Sequence, residues 1–311
     1  MRRLMRTRTR AGAVVLAALA AGCTVQPDER GTSAGGPPGD GGTVLAVKLD
    51  NVRPARPHTG LDAADVVYAE QVETGLSRLM AVYASRVPPA IGPVRSARET
   101  DLELLRQFDR PVLAFSGAQS KLLPLIAGAP VRALPPDEAT DDAYYRDDGR
   151  VAPHDLFVRP EALKATPRAG ALESTGFRFG PRPAGGTPET HRTVSFPSAS
   201  FTFDWVEYEG RWRITMDGER ARAADGKELG ASTVVVQYVK VRPSRFHDRS
   251  GNVSPFTETV GEGKARVLRD GRAYEARWER PSPEDGTAFT TPDGKRLPFA
   301  KGQVWVVFAK A

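Results

Sequence analysis

From residue 201 to the C-terminus, short strand-like runs alternate with Asp-Gly turns, and this pattern constrains the fold more than any other feature of the chain. The runs cover 201–209, 212–216, 232–241, 265–269, 272–279 and 303–308, punctuated by Asp217-Gly218, Asp225-Gly226, Asp270-Gly271 and Asp293-Gly294. Asp-Gly readily takes the positive φ that tight hairpins require, so antiparallel pairing is predicted here. Trp205, Trp212, Trp278 and Trp305 fall on or beside these runs, where aromatic side chains fill a core by default. Gly261-Glu262-Gly263-Lys264 lacks phosphate-loop spacing and precedes a strand-like run rather than a helix, so it reads as a turn.

The preceding part is mixed. An apolar run at 44–49 predicts a buried strand, and runs at 66–73 and 77–85 around Thr74-Gly75 predict a hairpin. Pro54 and Pro57 make the segment after the first strand a loop. In Ile91-Gly92-Pro93-Val94-Arg95-Ser96-Ala97-Arg98-Glu99, Ser96 followed by Glu99 has the spacing of a capping box, which places a helix start there. A strand at 111–117 and a helix at 120–127 follow, then a polar and aromatic loop at 137–155. The fold class expected is α+β: a mixed, layered α/β N-terminal domain at 43–165, a Pro/Gly-rich linker at 166–200 and a β-rich domain at 201–311. The two parts are compatible with one layered sandwich architecture.

The N-terminus carries Arg2, Arg3, Arg6, Arg8 and Arg10, then an uncharged apolar stretch too short to span a bilayer. It ends in Leu19-Ala20-Ala21-Gly22-Cys23, small residues before the single cysteine, as in the lipobox of bacterial lipoproteins. Residues 1–22 are expected to be a signal peptide, Cys23 the lipidated residue, and 23–42 a flexible tether. The formal net charge of +6 owes five units to that leader, so the mature chain is close to neutral and nucleic acid is not an expected partner. With one cysteine no internal disulfide can form, and stability must come from packing.

The candidate site residues are Asp50, Asn51, Arg53, Arg56, Glu70, Arg95, Arg98, Tyr145 and His154, all at turns or element ends. Arginines at a helix start call for a negative partner, either an acidic side chain in a structural network or a bound carboxylate or phosphate. Glu70, Glu73, His154 and Asp155 offer acid–base groups, but Ser96, Ser116 and Ser120 lack a nucleophile-elbow pattern. His58, His154, His191 and His247 have no metal-ligand spacing, so neither metal nor cofactor is expected.

Several segments together resemble the YerB-like family of bacterial lipoproteins, whose domains are of unknown function. They are Lys48-Leu49-Asp50-Asn51, Ala55-Arg56-Pro57, the stretch from Gly60 to Glu70, that from Ile91 to Arg98, Ala152-Pro153-His154-Asp155-Leu156, Val260-Gly261-Glu262-Gly263-Lys264 and the closing stretch with Trp305. The chain departs from the family at Asp155, where asparagine is usual. The resemblance implies a two-part fold on the outer face of a membrane and carries no activity. The expected function is a membrane-tethered extracytoplasmic lipoprotein that binds an anionic group of an envelope ligand or partner through an arginine-rich cleft. Two alternatives stand beside it: a hydrolase using Glu70 and His154, and an envelope interaction scaffold.

Overall fold

The computed structural model describes residues 43–311; the expected signal peptide, Cys23 and the expected tether lie outside the described residues. The N-terminal half contributes β1 (Leu45–Asp50), β2 (Val66–Gln71), β3 (Ser77–Tyr83), helix α1 (Glu99–Leu105), β4 (Val112–Ala114), helix α2 (Leu123–Gly128) and β5 (Arg132–Leu134). A small ribbon follows, β6 (Tyr144–Arg146) with β7 (Leu156–Val158). Next come β8 (Thr187–Pro188), β9 (His191–Phe196), β10 (Ala199–Val206), β11 (Arg211–Met216), β12 (Glu219–Arg220) and β13 (Gly230–Ala231). The chain closes with β14 (Thr233–Val239), β15 (Val241–His247), β16 (Val253–Thr257), β17 (Gly261–Arg269), β18 (Arg272–Arg280), β19 (Ala288–Thr290) and β20 (Val304–Lys310).

The main sheet runs β19-β18-β17-β14-β20-β2-β3-β1-β4-β5 and draws strands from both ends of the chain. The junction is β20, parallel to β14 on one side and to β2 on the other. The expected linker at 166–200 therefore does not separate two independent sheets, and it contains β8 and β9. Such pairing over more than two hundred residues leaves no local signature in the sequence.

Both faces of the main sheet are covered. On one, Leu45, Val47, Leu49, Trp305, Phe201 and Trp212 belong to a cluster shared with the second sheet, β12-β11-β10-β9, and the Phe201 and Trp305 rings are 6.2 Å apart. On the other, Val44, Ala46, Met80 and Val82 pack with Leu104, Leu105 and Phe108, at and just beyond α1. Trp212, Trp278 and Trp305 are buried in these cores.

Two local expectations need correction. Helix α1 starts at Glu99, not at Ser96; its first turn is closed by Asp101, whose Oδ2 accepts the Arg98 backbone N–H at 2.7 Å. Residues 91–95 are instead extended, bridging Val158 through Ile91, Thr59 through Gly92 and Leu49 through Val94. The close approach explains Gly92: a Cβ there would lie 2.5 Å from a Phe157 ring carbon. The second correction concerns Gly261-Glu262-Gly263-Lys264, which opens β17 and pairs with β18. Gly263 fits because Trp278 covers it, leaving no room for a side chain. Helical content in the N-terminal half is small, with seven residues in α1 and six in α2.

Candidate functional site

Strand register places the polar site. Asp50 of β1 pairs with Arg78 of β3, and Arg78 pairs with Glu70 of β2, so three charged residues form one row across three strands. One step along, Lys48 pairs with Met80 and Met80 with Tyr68. Residues two apart share a sheet face, so Lys48 lies on the side of Asp50, beneath the start of α1. All four charged residues are buried.

Lys48 Nζ donates to Asp101 Oδ1 at 2.7 Å and also to Glu70 Oε1. Burial lowers the Lys48 pKa to about 8, and Asp101 opposes that fall. Glu70 is thus held by a lysine inside the protein, away from any cleft. Glu73, in the turn between β2 and β3, receives Arg98 Nε at 2.5 Å on one oxygen and Nη2 at 2.8 Å on the other, with Ser254 as a further donor. Burial alone would raise the Glu73 pKa, but the Arg98 hydrogen bonds and charge outweigh it and hold it at about 2.

A third group forms at the end of β1. Asp50 Oδ2 lies 2.9 Å from His154 Nδ1 and 3.0 Å from Arg95 Nε. Asp50 Oδ1 accepts the Asn51 backbone N–H at 2.9 Å. The Arg95 Nε–H does not point along a hydrogen bond, so the contact is an ion pair. The Arg95 side chain is 27% exposed and that of His154 16%. Behind Asp50, the buried His58 ring places Nε2 2.7 Å from the Asp50 carbonyl oxygen, and burial lowers its pKa to about 4.

The expected arginine cleft is divided among separate partners. Arg56 donates to Asp217 Oδ2 at 2.6 Å, to the Met216 carbonyl at 3.0 Å and to Asn51 Oδ1 at 3.3 Å. Arg53 reaches Glu219 at 2.9 Å and the Asp217 carbonyl at 2.6 Å. These two arginines fasten the loop after β1 to the turn between β11 and β12. Asn51 also donates to Ser77 Oγ at 2.9 Å. Tyr145 stacks on Phe157 with ring centroids 5.6 Å apart, and Arg159 covers its ring at 4.2 Å. Asp155 is paired with Arg146. Open grooves of about 580 and 560 Å³ flank the turn Glu73–Gly75; the second is lined by Asn51, Arg53 and Asp217, and Arg95, Arg98 and His154 line neither.

Arg78 and Lys48 are not among the site residues expected from the sequence, although Lys48 opens one of the family-like segments. Each sits inside an apolar strand run with only its register to mark it. Among the described residues, no group of three His, Cys, Asp or Glu side chains is arranged to hold a metal ion, and no helix is long and apolar enough to cross a membrane.

Comparison with known proteins gives matches to two family models. Residues 35–174 match the N-terminal domain and residues 192–306 the C-terminal domain described as "Protein of unknown function (DUF3048)". The chain is 27% identical over 280 residues to the Bacillus subtilis (strain 168) protein named "Putative lipoprotein YerB", covering 84% of this chain and 80% of that protein. The crystal structure of the YerB protein from Bacillus subtilis superposes with a TM-score of 0.71 at 20% identity, over 87% of this chain and 91% of that one, and so has the same fold.

Proposed function

The chain belongs to the DUF3048 family, and on that premise we propose that it is an extracytoplasmic lipoprotein, anchored to the bacterial cell membrane through lipid on Cys23, that binds an anionic group of a cell-envelope molecule or partner. The name of the Bacillus subtilis relative and the small residues before Cys23 support the anchor. Replacing Cys23 by alanine should move the protein from the membrane fraction to the soluble fraction.

One observation carries the binding reading. Arg95 makes a single ion pair through Nε, leaving the Nη groups of a partly exposed guanidinium without a protein acceptor among the described residues. His154 stands on the same Asp50 oxygen. A guanidinium presenting two free donors beside an imidazole suits a carboxylate or phosphate. Of the expected ligand set, Arg95, His154 and Asp50 remain as binding residues, with Asp50 orienting the other two. Glu70, Arg53, Arg56 and Arg98 are engaged elsewhere. Calorimetric titration with inorganic phosphate and with acetate tests the reading: at least one should bind, and Arg95→Ala should bind neither. Equal binding by the variant would overturn it.

A hydrolytic reading has one supporting observation, the Asp50–His154 contact, which would orient the imidazole as a base for a water molecule. In it Asp50, not Glu70, is the carboxylate partner of His154. Its test is ester or phosphoester turnover by the unaltered protein that disappears in His154→Ala; no turnover by the unaltered protein would overturn it. The scaffold reading asks for an apolar patch on residues 201–311, where the large exposed apolar side chains among the described residues are Tyr208 and Val253.

A further inference from the structure

Building on the anion-site reading, we infer that the bound group is a phosphoryl group and that Arg78, in the floor of the site, is its third contact. Arg78 is 8% exposed, yet among the described residues its side chain makes one hydrogen bond, from Nη1 to the Ser96 carbonyl at 3.1 Å. Among the described residues no carboxylate forms an ion pair with it. A guanidinium has five N–H donors; this one is largely desolvated, and its nitrogens that make no hydrogen bond are not sealed from solvent, so an anion can reach them. Its neighbours sharpen the point, because Arg98 is already bound at both ends by Glu73.

Position ties Arg78 to the Asp50 group. It is the register partner of Asp50, and the carbonyl it holds belongs to the residue next to Arg95. The site therefore has donors on three different elements: Arg78 on β3, Arg95 on the extended segment before α1 and, when its ring carries a second proton on Nε2 beside the Nδ1–H given to Asp50, His154 on the loop between β6 and β7. A planar carboxylate is satisfied by one guanidinium fork. Donors arriving from three elements match the oxygens of a tetrahedral phosphoryl group better. Burial, followed by the neighbouring Arg98, lowers the Arg78 pKa to about 10, which leaves it charged at neutral pH.

Envelope polymers and phospholipid headgroups both supply phosphoryl groups, so the test has arms for each. The purified protein is titrated with inorganic phosphate, acetate and glycerol 3-phosphate, and is mixed with vesicles of phosphatidylglycerol. Phosphate should bind about tenfold more tightly than acetate, and Arg78→Lys should lose about tenfold for phosphate with little change for acetate. Because the variant can perturb folding, the Arg78 Nε–H resonance is followed in the unaltered protein, where phosphate should shift it together with that of Arg95. Binding of glycerol 3-phosphate without vesicles assigns a soluble or polymer-borne group; vesicle binding lost in Arg78→Lys assigns a headgroup; either result supports the phosphoryl site. Acetate binding as tightly as phosphate, or an Arg95 signal that moves while Arg78 does not, overturns this inference and leaves the anion site standing. Failure of every anion to bind removes both.

Discussion

Arg98 grips both carboxylate oxygens of Glu73, at 2.5 and 2.8 Å, and this largely buried pair fastens the turn between β2 and β3 to the start of α1. Removing the arginine would leave Glu73 charged inside the protein. Arg98→Ala should therefore cost about 3–5 kcal/mol, read as a lower urea midpoint. Glu73 has its pKa lowered in the folded state, to about 2 from 4.5. Its contribution is thus fully present above about pH 4.5 and declines as the pH falls towards 2. Glu73→Gln should flatten that part of the stability profile.

Arg95, three residues earlier, should behave differently. Its pair with Asp50 is partly exposed, and Asp50 keeps its contacts with His154 and the Asn51 N–H when it is removed. The loss in Arg95→Ala should stay below about 1 kcal/mol, which a denaturation curve separates clearly from that of Arg98→Ala.

Lys48 is the only cation in direct contact with Glu70 among the described residues, and it also holds Asp101. Lys48→Met would leave two buried carboxylates facing each other and should destabilise the protein by about 3–5 kcal/mol. Combining it with Glu70→Met should recover part of that loss. A double variant less stable than Lys48→Met would show that the lysine is not there to neutralise Glu70.

His58 provides a pH signature. Burial lowers its pKa from 6.5 to about 4, so the unfolded chain binds a proton in that window while the folded protein does not. Stability from this group is complete above about pH 6.5 and falls as the pH drops to 4. Thermal melts between pH 7 and 4 should show a shallower decline in His58→Phe than in the unaltered protein.

The strands were legible where turn chemistry announced them. Asp217-Gly218 and Asp270-Gly271 take positive φ at both residues and close β11–β12 and β17–β18, and Thr74-Gly75 does the same between β2 and β3. The ribbon β15–β16 was missed because Pro243 and Pro255 interrupt its pattern, which a ribbon with open edges tolerates. The helix start was misplaced because Ser96 has the right spacing to Glu99, whereas the carboxylate that closes the turn is on Asp101. For the site, the sequence identified Asp50, Arg95 and His154 as charged residues at element ends. It had no means of assigning Arg53 and Arg56 to Asp217 and Glu219, more than 160 residues away. Nor could it find Arg78, whose role depends on the register between β1 and β3.

The central claim, an anion site at Arg95, is tested most directly by melting the protein in phosphate and in chloride at equal ionic strength, with Arg95→Ala alongside. A bound anion stabilises the folded state by mass action. The account predicts that phosphate raises the melting temperature of the unaltered protein above its value in chloride and that Arg95→Ala loses this increment. An equal increment in both proteins would contradict it.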